Sequence, residues 1–318
     1  MIRYLAHHEI DKDKWDACID SSLNGMIYAY SWYLDMVATP WGALVEDDYL
    51  SVMPLPYRKK WGIDYIYQPR FIQQLGVFST TELSEEQTRR FLSVIPSRFK
   101  LVDICLNTFN RVPAIKGLEL EKRLTHELNL IPSYEEIKKN YSTNVVRNLK
   151  KADRQEVFVV PHGRPEDLID AFRRNRGRGM RVFSGPDYFV LKHLVYVGLH
   201  KGLVQLYSAY SPQNTFSAGI VFYRSHKKVI LLFSGAEATA RQTGAMFMLV
   251  DRFIRDHSGR ELALDFEGSS DPGLARFYRG FGSKECVFLR VKINRLPMVL
   301  KPFAGAYMQL RKWVLQGG

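Results

Sequence analysis

The chain has 318 residues, 46% of them apolar and 25% charged, with a formal net charge of +12 and no low-complexity tract. This length suits two domains, each able to bury its own core, and the composition excludes a disordered chain. No run of about 18 apolar residues predicts a membrane-spanning helix, and the cationic excess points to an anionic partner.

The N-terminal residues Met1 to Glu9 contain no apolar run of signal-peptide length, so a cytoplasmic protein is expected. A helical stretch around Trp15 to Asp20 and a second over Ile27 to Leu34 come next. Three strand-like segments follow, Trp41 to Glu46, Tyr49 to Pro56 and Tyr65 to Gln68, with Asp47-Asp48 and Trp61-Gly62 as the turns. Glu85 to Phe99 has helical periodicity, Leu101 to Leu106 reads as a buried strand, and Arg123 to Leu130 as another. Ser133-Tyr134-Glu135-Glu136 is a capping box that starts a helix, which leads into a basic helix over Val145 to Ala152, read as the connector between two domains.

In the second half, Glu156 to Val160 reads as a strand, and Pro165 to Arg176 and Pro186 to His200 as helices. A meander of three strands (Gly202 to Ser211, Phe216 to Tyr223, Val229 to Ser234) precedes a long amphipathic helix from Thr239 to about His257. Ala263 to Glu267 is a short strand ending in two carboxylates, followed by a Gly-Ser-Ser turn, a short helix holding Tyr278 and Arg279, and a last strand around Val287 to Val291. The resulting order is β-α-α-β-β-β-α-β-α-β. Val102-Asp103-Ile104 and Leu264-Asp265-Phe266 each place an acidic residue inside an apolar strand after an amphipathic helix, which suggests an internal duplication. The tail, Leu300 to Leu315, spaces Phe303, Tyr307, Leu310, Trp313 and Val314 as a helix face; it is read either as packing back onto the protein or as a peripheral membrane contact.

Strand ends are where α/β enzymes keep polar working groups. Asp265 and Glu267, two apart on a strand, are expected on one face, and Glu237 lies just past the end of the preceding strand. Transfer of an acyl group to an amine needs a proton acceptor and stabilisation of an oxyanion. Glu237, Asp265 and Glu267 are candidates for the base, and Tyr278 and Arg279 for charge stabilisation, with backbone amides near Ser234-Gly235 as alternative oxyanion donors. Between Lys138 and Arg181 there are twelve Lys or Arg against five Asp or Glu. Anion binding is therefore assigned to Arg147, Lys150 and Lys151 on the basic helix and to Arg174, Arg176 and Arg181 near Gly177 and Gly179. Cys18, Cys105 and Cys286 are far apart and in no Cys-x-x-Cys pair, and the eight histidines form no ligand motif, so packing cysteines and no metal site are expected.

Three stretches carry a family resemblance. They are Ser133-Tyr134-Glu135-Glu136-Ile137-Lys138 leading to Asn144-Val145-Val146-Arg147-Asn148-Leu149-Lys150-Lys151-Ala152; Phe172-Arg173-Arg174-Asn175-Arg176-Gly177 with Tyr188-Phe189; and Arg276-Phe277-Tyr278-Arg279-Gly280-Phe281-Gly282 after Asp265-Phe266-Glu267-Gly268. Together with the order of elements, the chain resembles the Fem-type (FemABX) aminoacyl transferases over nearly its whole length. The resemblance implies an α/β (α+β) fold of two tandem GNAT-like domains, at 1–152 and 153–299, with 300–318 returning to the first. It further implies direct transfer of an aminoacyl group from aminoacyl-tRNA to an amine of a peptidoglycan precursor, in the short form without a coiled-coil arm.

Two positions depart from the family pattern: Tyr278 stands where the characterised members carry lysine, and Trp32 to Trp41 contains no lysine. The alternatives are an acyl-CoA-dependent N-acyltransferase and a non-catalytic tandem protein that binds an anion or nucleotide-linked sugar. For acyl-CoA, the superfamily's pyrophosphate loop would fall on Arg241-Gln242-Thr243-Gly244-Ala245-Met246, which keeps Arg241 and Gly244 but puts Met246 where a second small residue belongs. No tightly bound cofactor is expected; aminoacyl-tRNA or acyl-CoA would be a co-substrate.

Overall fold

In a computed structural model, which describes residues 1–113, 117–179, 183–268 and 271–297, the chain divides into two compact units. Among the described residues, the first comprises Met1–Leu124 with 286–297, and the second Thr125–Glu285. In the first unit, β1 (Ile2–Leu5), α1 (Lys12–Ser21), α2 (Ser31–Ala38), β2 (Trp41–Glu46), β3 (Ser51–Lys60), β4 (Ile63–Tyr67), β5 (Phe78–Ser79), α3 (Glu85–Ser93) and β6 (Phe99–Cys105) lead to β7 (Leu118–Asn129), which passes into the second. There follow α4 (Tyr134–Lys138), α5 (Thr143–Arg154), β8 (Phe158–Val160), α6 (Pro165–Arg174), α7 (Gly185–His200), β9 (Val204–Tyr210), β10 (Phe216–Ser225), β11 (Lys228–Ala236), α8 (Ala240–Thr243), α9 (Ala245–His257), β12 (Ala263–Asp265), α10 (Pro272–Gly280) and β13 (Lys284–Asn294).

The strands of the first unit are ordered β1-β2-β3-β4-β6-β13, with β5 on β3; those of the second are ordered β7-β12-β11-β10-β9-β8. In each, antiparallel hairpins meet one parallel pair, β4 with β6 and β11 with β12. The two parallel pairs hold the two Asp-bearing strands, so the pairing pattern agrees with an internal duplication. Asp103 is clamped by Arg290 through two hydrogen bonds of 2.5 and 2.6 Å. Each unit has its own core: Phe91, Phe99, Val102 and Ile104 lie at the centre of the first, and Val145, Ile220, Phe222, Phe253 and Phe281 in the second.

Three expectations are corrected. The boundary expected at residue 152 falls at Leu124, because α4 and α5 turn Ile137, Tyr141, Val145 and Ala152 into the second unit's core rather than linking two bodies. The last strand of the second-half order belongs from Cys286 to the first unit, where Arg290 to Asn294 pair with β6. The helix expected as continuous from Thr239 is broken at Gly244, which sits at φ +77°, a left-handed conformation that ends α8 and starts α9. A Cβ at Gly244 would lie 2.5 Å from the Asn148 carbonyl oxygen, so the glycine lets α5 pack directly on this corner. The tail at 300–318 lies outside the described residues, and no helix among those described is long and apolar enough to cross a membrane. Cys18 and Cys105 are thiols that burial pushes up to about 11, so neither is a nucleophile at neutral pH.

Candidate functional site

The site is created by two parallel strands that part. β11 pairs with β12 only at Lys228–Ile230, opposite Ala263–Asp265, and then runs on to Ala236 while β12 stops. From Leu231 onward the side of β11 away from β10 has no strand partner among the described residues. An unpaired strand edge presents in-plane N–H and C=O groups, which here face a cleft of about 820 Å³. Ser234, Gly235, Ala236 and Glu237 form one wall; Phe172, Asn175 and Arg176 a second; Arg241, Met246 and Phe247 a third; and Asp271, Gly273, Leu274 and Phe277, at the start of α10, the fourth. The pocket is apolar with a few polar groups at its rim, the usual make-up of a small-molecule site. Gly235 is required for a reason of packing: a Cβ there would fall 2.1 Å from the Leu168 carbonyl oxygen of α6.

Glu237 is the carboxylate on the β11 wall of this cleft. It accepts from Arg174 at 2.5 Å and from Asn175 Nδ2 at 3.1 Å, while its own amide donates to Ser217. Burial alone would raise its pKa, but the two hydrogen bonds outweigh burial and hold the carboxyl below its ordinary value. It is therefore ionised at neutral pH. Arg174 itself lines an adjoining cavity of about 500 Å³ with Asp170, Arg173 and Arg178, so the Arg174–Glu237 pair connects a cationic hollow to the main cleft. Arg176 reaches across to Asp271 at 3.5 Å, and Asp271 caps α10 through the amides of Gly273 and Leu274.

The other expected residues divide into those at the cleft and those away from it. Arg176 and Arg241 line it, as does Glu237. Asp265 and Glu267 do not share a strand face, because β12 ends at Asp265 and Glu267 turns out at φ +55°. Asp265 is buried, accepting from Thr125 at 2.5 Å and lying 3.4 Å from Lys228, which also pairs with Glu127 at 2.5 Å. This is a closed network that leaves Asp265 no access to the cleft. Glu267 keeps some residue exposure, but its Oε1 is fully covered and has no hydrogen-bond partner among the described residues, and burial pushes the carboxyl up to about 8. At that value it is largely protonated at neutral pH, and it does not line the cleft.

Tyr278 points inward, stacked on Phe266 at 4.8 Å, its hydroxyl pushed up to about 12 by burial and then by Glu267. Arg279 is turned to Glu285 at 3.1 Å and does not line the cleft. On α5, Arg147 and Lys150 are exposed away from the cleft, and Lys151 donates to the Arg241 carbonyl at 3.2 Å. The amides of Gln242, Thr243 and Gly244 already donate to carbonyls of Thr239 and Ala240, so they do not form an open anion nest. Arg181 lies outside the described residues.

Sequence reasoning missed Asn175 and Asp271 as rim residues, and His126. The imidazole of His126 is buried 5.9 Å from the Tyr278 ring, with neither ring nitrogen hydrogen-bonded among the described residues, and burial lowers its pKa. Asn175 sat inside a motif already singled out, and Asp271-Pro272 is an N-cap followed by proline at N1, so both had a legible signal. His126 had none.

Among solved structures, the chain is similar to FemX, with a TM-score of 0.62 at 11% identity over 90% of this chain and 96% of that one. It is similar to a conserved protein of unknown function from Bacteroides thetaiotaomicron, with a TM-score of 0.59 at 9% identity over 89% and 96%. L-PGS from Bacillus licheniformis gives a TM-score of 0.56 at 9% identity over 94% and 96%. No family model matches the sequence, and no curated protein does. The architecture is the Fem-like tandem GNAT fold.

Proposed function

We propose that this Fem-like tandem GNAT fold is an acyltransferase that passes an aminoacyl or acyl group directly to an amine, with the cleft at the end of β11 as the place of transfer. The observation that carries this reading is the cleft itself. It joins an ionised carboxylate, Glu237, to an unpaired strand edge within one apolar pocket. In this reading the acceptor binds as its ammonium against Glu237 and loses a proton toward that carboxylate. The freed amine attacks the donor's carbonyl carbon, and edge amides of β11 stabilise the oxyanion. The acyl–oxygen or acyl–sulfur bond then breaks, the leaving group takes up the proton held by Glu237, and the new amide nitrogen gives its remaining excess proton to water.

Arg176 and Arg241 at the rim, and Arg173, Arg174 and Arg178 in the adjoining hollow, would hold the anionic part of the donor or acceptor. Supporting an aminoacyl ester over acyl-CoA, the loop at Gln242–Gly244 has its amides committed and Met246 occupies the cleft wall. The acceptor class is proposed, from the resemblance, as an amine of a cell-envelope precursor. A thermal-shift panel of acetyl-CoA, a UDP-linked muropeptide and aminoacyl-tRNA tests the assignment. Stabilisation by the muropeptide and aminoacyl-tRNA is expected; stabilisation by acetyl-CoA alone would replace the donor, and none by any of the three would count against the reading.

A further inference from the structure

The hairpin of β3 and β4 breaks a local rule in a way that turn geometry does not require. Lys60 pairs with Ile63 and Lys59 with Asp64, leaving Trp61 and Gly62 as a two-residue turn with φ of +50° and +76°. Both central residues with positive φ define a turn that asparagine, aspartate or glycine adopts at least cost and a bulky aromatic adopts poorly. Trp61 is nonetheless at the first position and 79% exposed. A large ring held out at an apex loses both the backbone preference and the burial that usually retain tryptophan, and such departures mark functional positions.

Its surroundings are cationic. Arg58, Lys59 and Lys60 are exposed on the same arm, and the Lys60 ammonium lies over the Trp61 ring at 4.6 Å. Arg98 is stacked near Tyr57 at 5.5 Å, at the base of the arm. The one carboxylate within the hairpin, Asp64, stands opposite Lys59. An exposed indole surrounded by basic side chains is the combination that sits at the headgroup level of an anionic bilayer, the ring among the headgroups and the cations at the phosphates. A single-stranded nucleic acid would need a groove with successive stacking platforms. The arm offers a single apical ring, one face of which Lys60 overlies.

We propose that the Lys59-Lys60-Trp61 apex is a peripheral membrane contact that docks the protein on an anionic lipid surface. The test is co-sedimentation of the full chain with vesicles of phosphatidylcholine alone and of phosphatidylcholine containing one-third phosphatidylglycerol, at low and high salt. The chain is expected to bind the anionic vesicles, to release in high salt, and to ignore the neutral ones. Trp61→Ala and the double variant Lys59→Ala/Lys60→Ala should each weaken partitioning about tenfold or more while keeping the wild-type melting temperature. If one of the two fails to fold, the other decides. No binding to anionic vesicles, binding retained by the folded variants, or Trp61-dependent binding of a single-stranded RNA in preference to vesicles would each overturn the proposal.

Discussion

Arg174 and Glu237 are 63 residues apart and meet at 2.5 Å where a cationic hollow joins the main cleft. Asn175, the next residue, holds the second carboxylate oxygen. The pair keeps Glu237 ionised and at the same time makes it a weak proton acceptor. An anion that drew Arg174 away would strengthen it as a base, which couples occupancy of the hollow to chemistry in the cleft. Arg174→Ala is therefore expected to raise the Glu237 pKa. The ascending limb of a rate–pH profile, which reports deprotonation of the base, should move to higher pH in that variant, whereas a merely structural Arg174 would leave the midpoint in place.

Glu267 gives a stability prediction with a definite sign. Its carboxyl is pushed from its ordinary value of 4.5 to about 8 by burial, so between these values the folded protein holds a proton that the unfolded chain has released. The stability this provides is complete below about pH 4.5 and is lost as pH rises through 8. Glu267→Gln should remove that dependence, leaving the variant more stable than wild type at pH 9 by a few kcal/mol. Urea unfolding at pH 6 and pH 9 checks it; equal slopes with pH for both proteins would contradict the assignment.

Lys228 is the counter-ion of a buried network rather than part of the cleft. Lys228→Met leaves Asp265 and Glu127 facing each other across β12 and β7 without a cation. A loss of about 3–5 kcal/mol is expected, the usual cost of orphaning a buried charge. Asp265→Asn should cost less, since the amide can still bond Thr125. Both are measured by chemical denaturation. Transfer by the fraction that remains folded should be unaffected, in contrast to Glu237 variants.

Gly235 tests the close approach of α6 to the wall of the cleft. With the Leu168 carbonyl 2.1 Å from any added Cβ, Gly235→Ala forces the backbone of α6 or β11 to move. A destabilisation of about 1–3 kcal/mol is expected, with weaker ligand binding because Ser234 and Ala236 shift with it. An alanine variant with unchanged melting temperature and affinity would show that the two elements are not held against each other.

Much of this was legible in the chain. The meander, the helices after Pro165 and Gly185 and the Asp-bearing strands announce themselves through apolar periodicity and caps, which act locally. The failures are non-local. A capping box and a basic outer face read as a connector, but only the three-dimensional core shows Val145 and Ala152 buried in the second unit. Asp265 and Glu267 have strand spacing, yet the strand ends between them, and one positive φ sends the second carboxyl elsewhere. Tyr278 and Arg279 were assigned from chemistry alone; α10 turns Phe277 to the cleft, and the residue after it must then face the core. Glu237 was found because it follows a strand end, whereas its partner Arg174 was found only as one basic residue among several.

The most direct test of the central claim is transfer itself: purified chain, labelled aminoacyl-tRNA and an amine-bearing cell-envelope precursor, wild type against Glu237→Gln. The account predicts labelled amide from the wild type and a loss of about a hundredfold or more in the variant, with melting temperature and ligand binding retained. Equal turnover by the two proteins would remove Glu237 from the chemistry, and no turnover by a wild-type chain that binds both substrates would make the cleft a binding site alone.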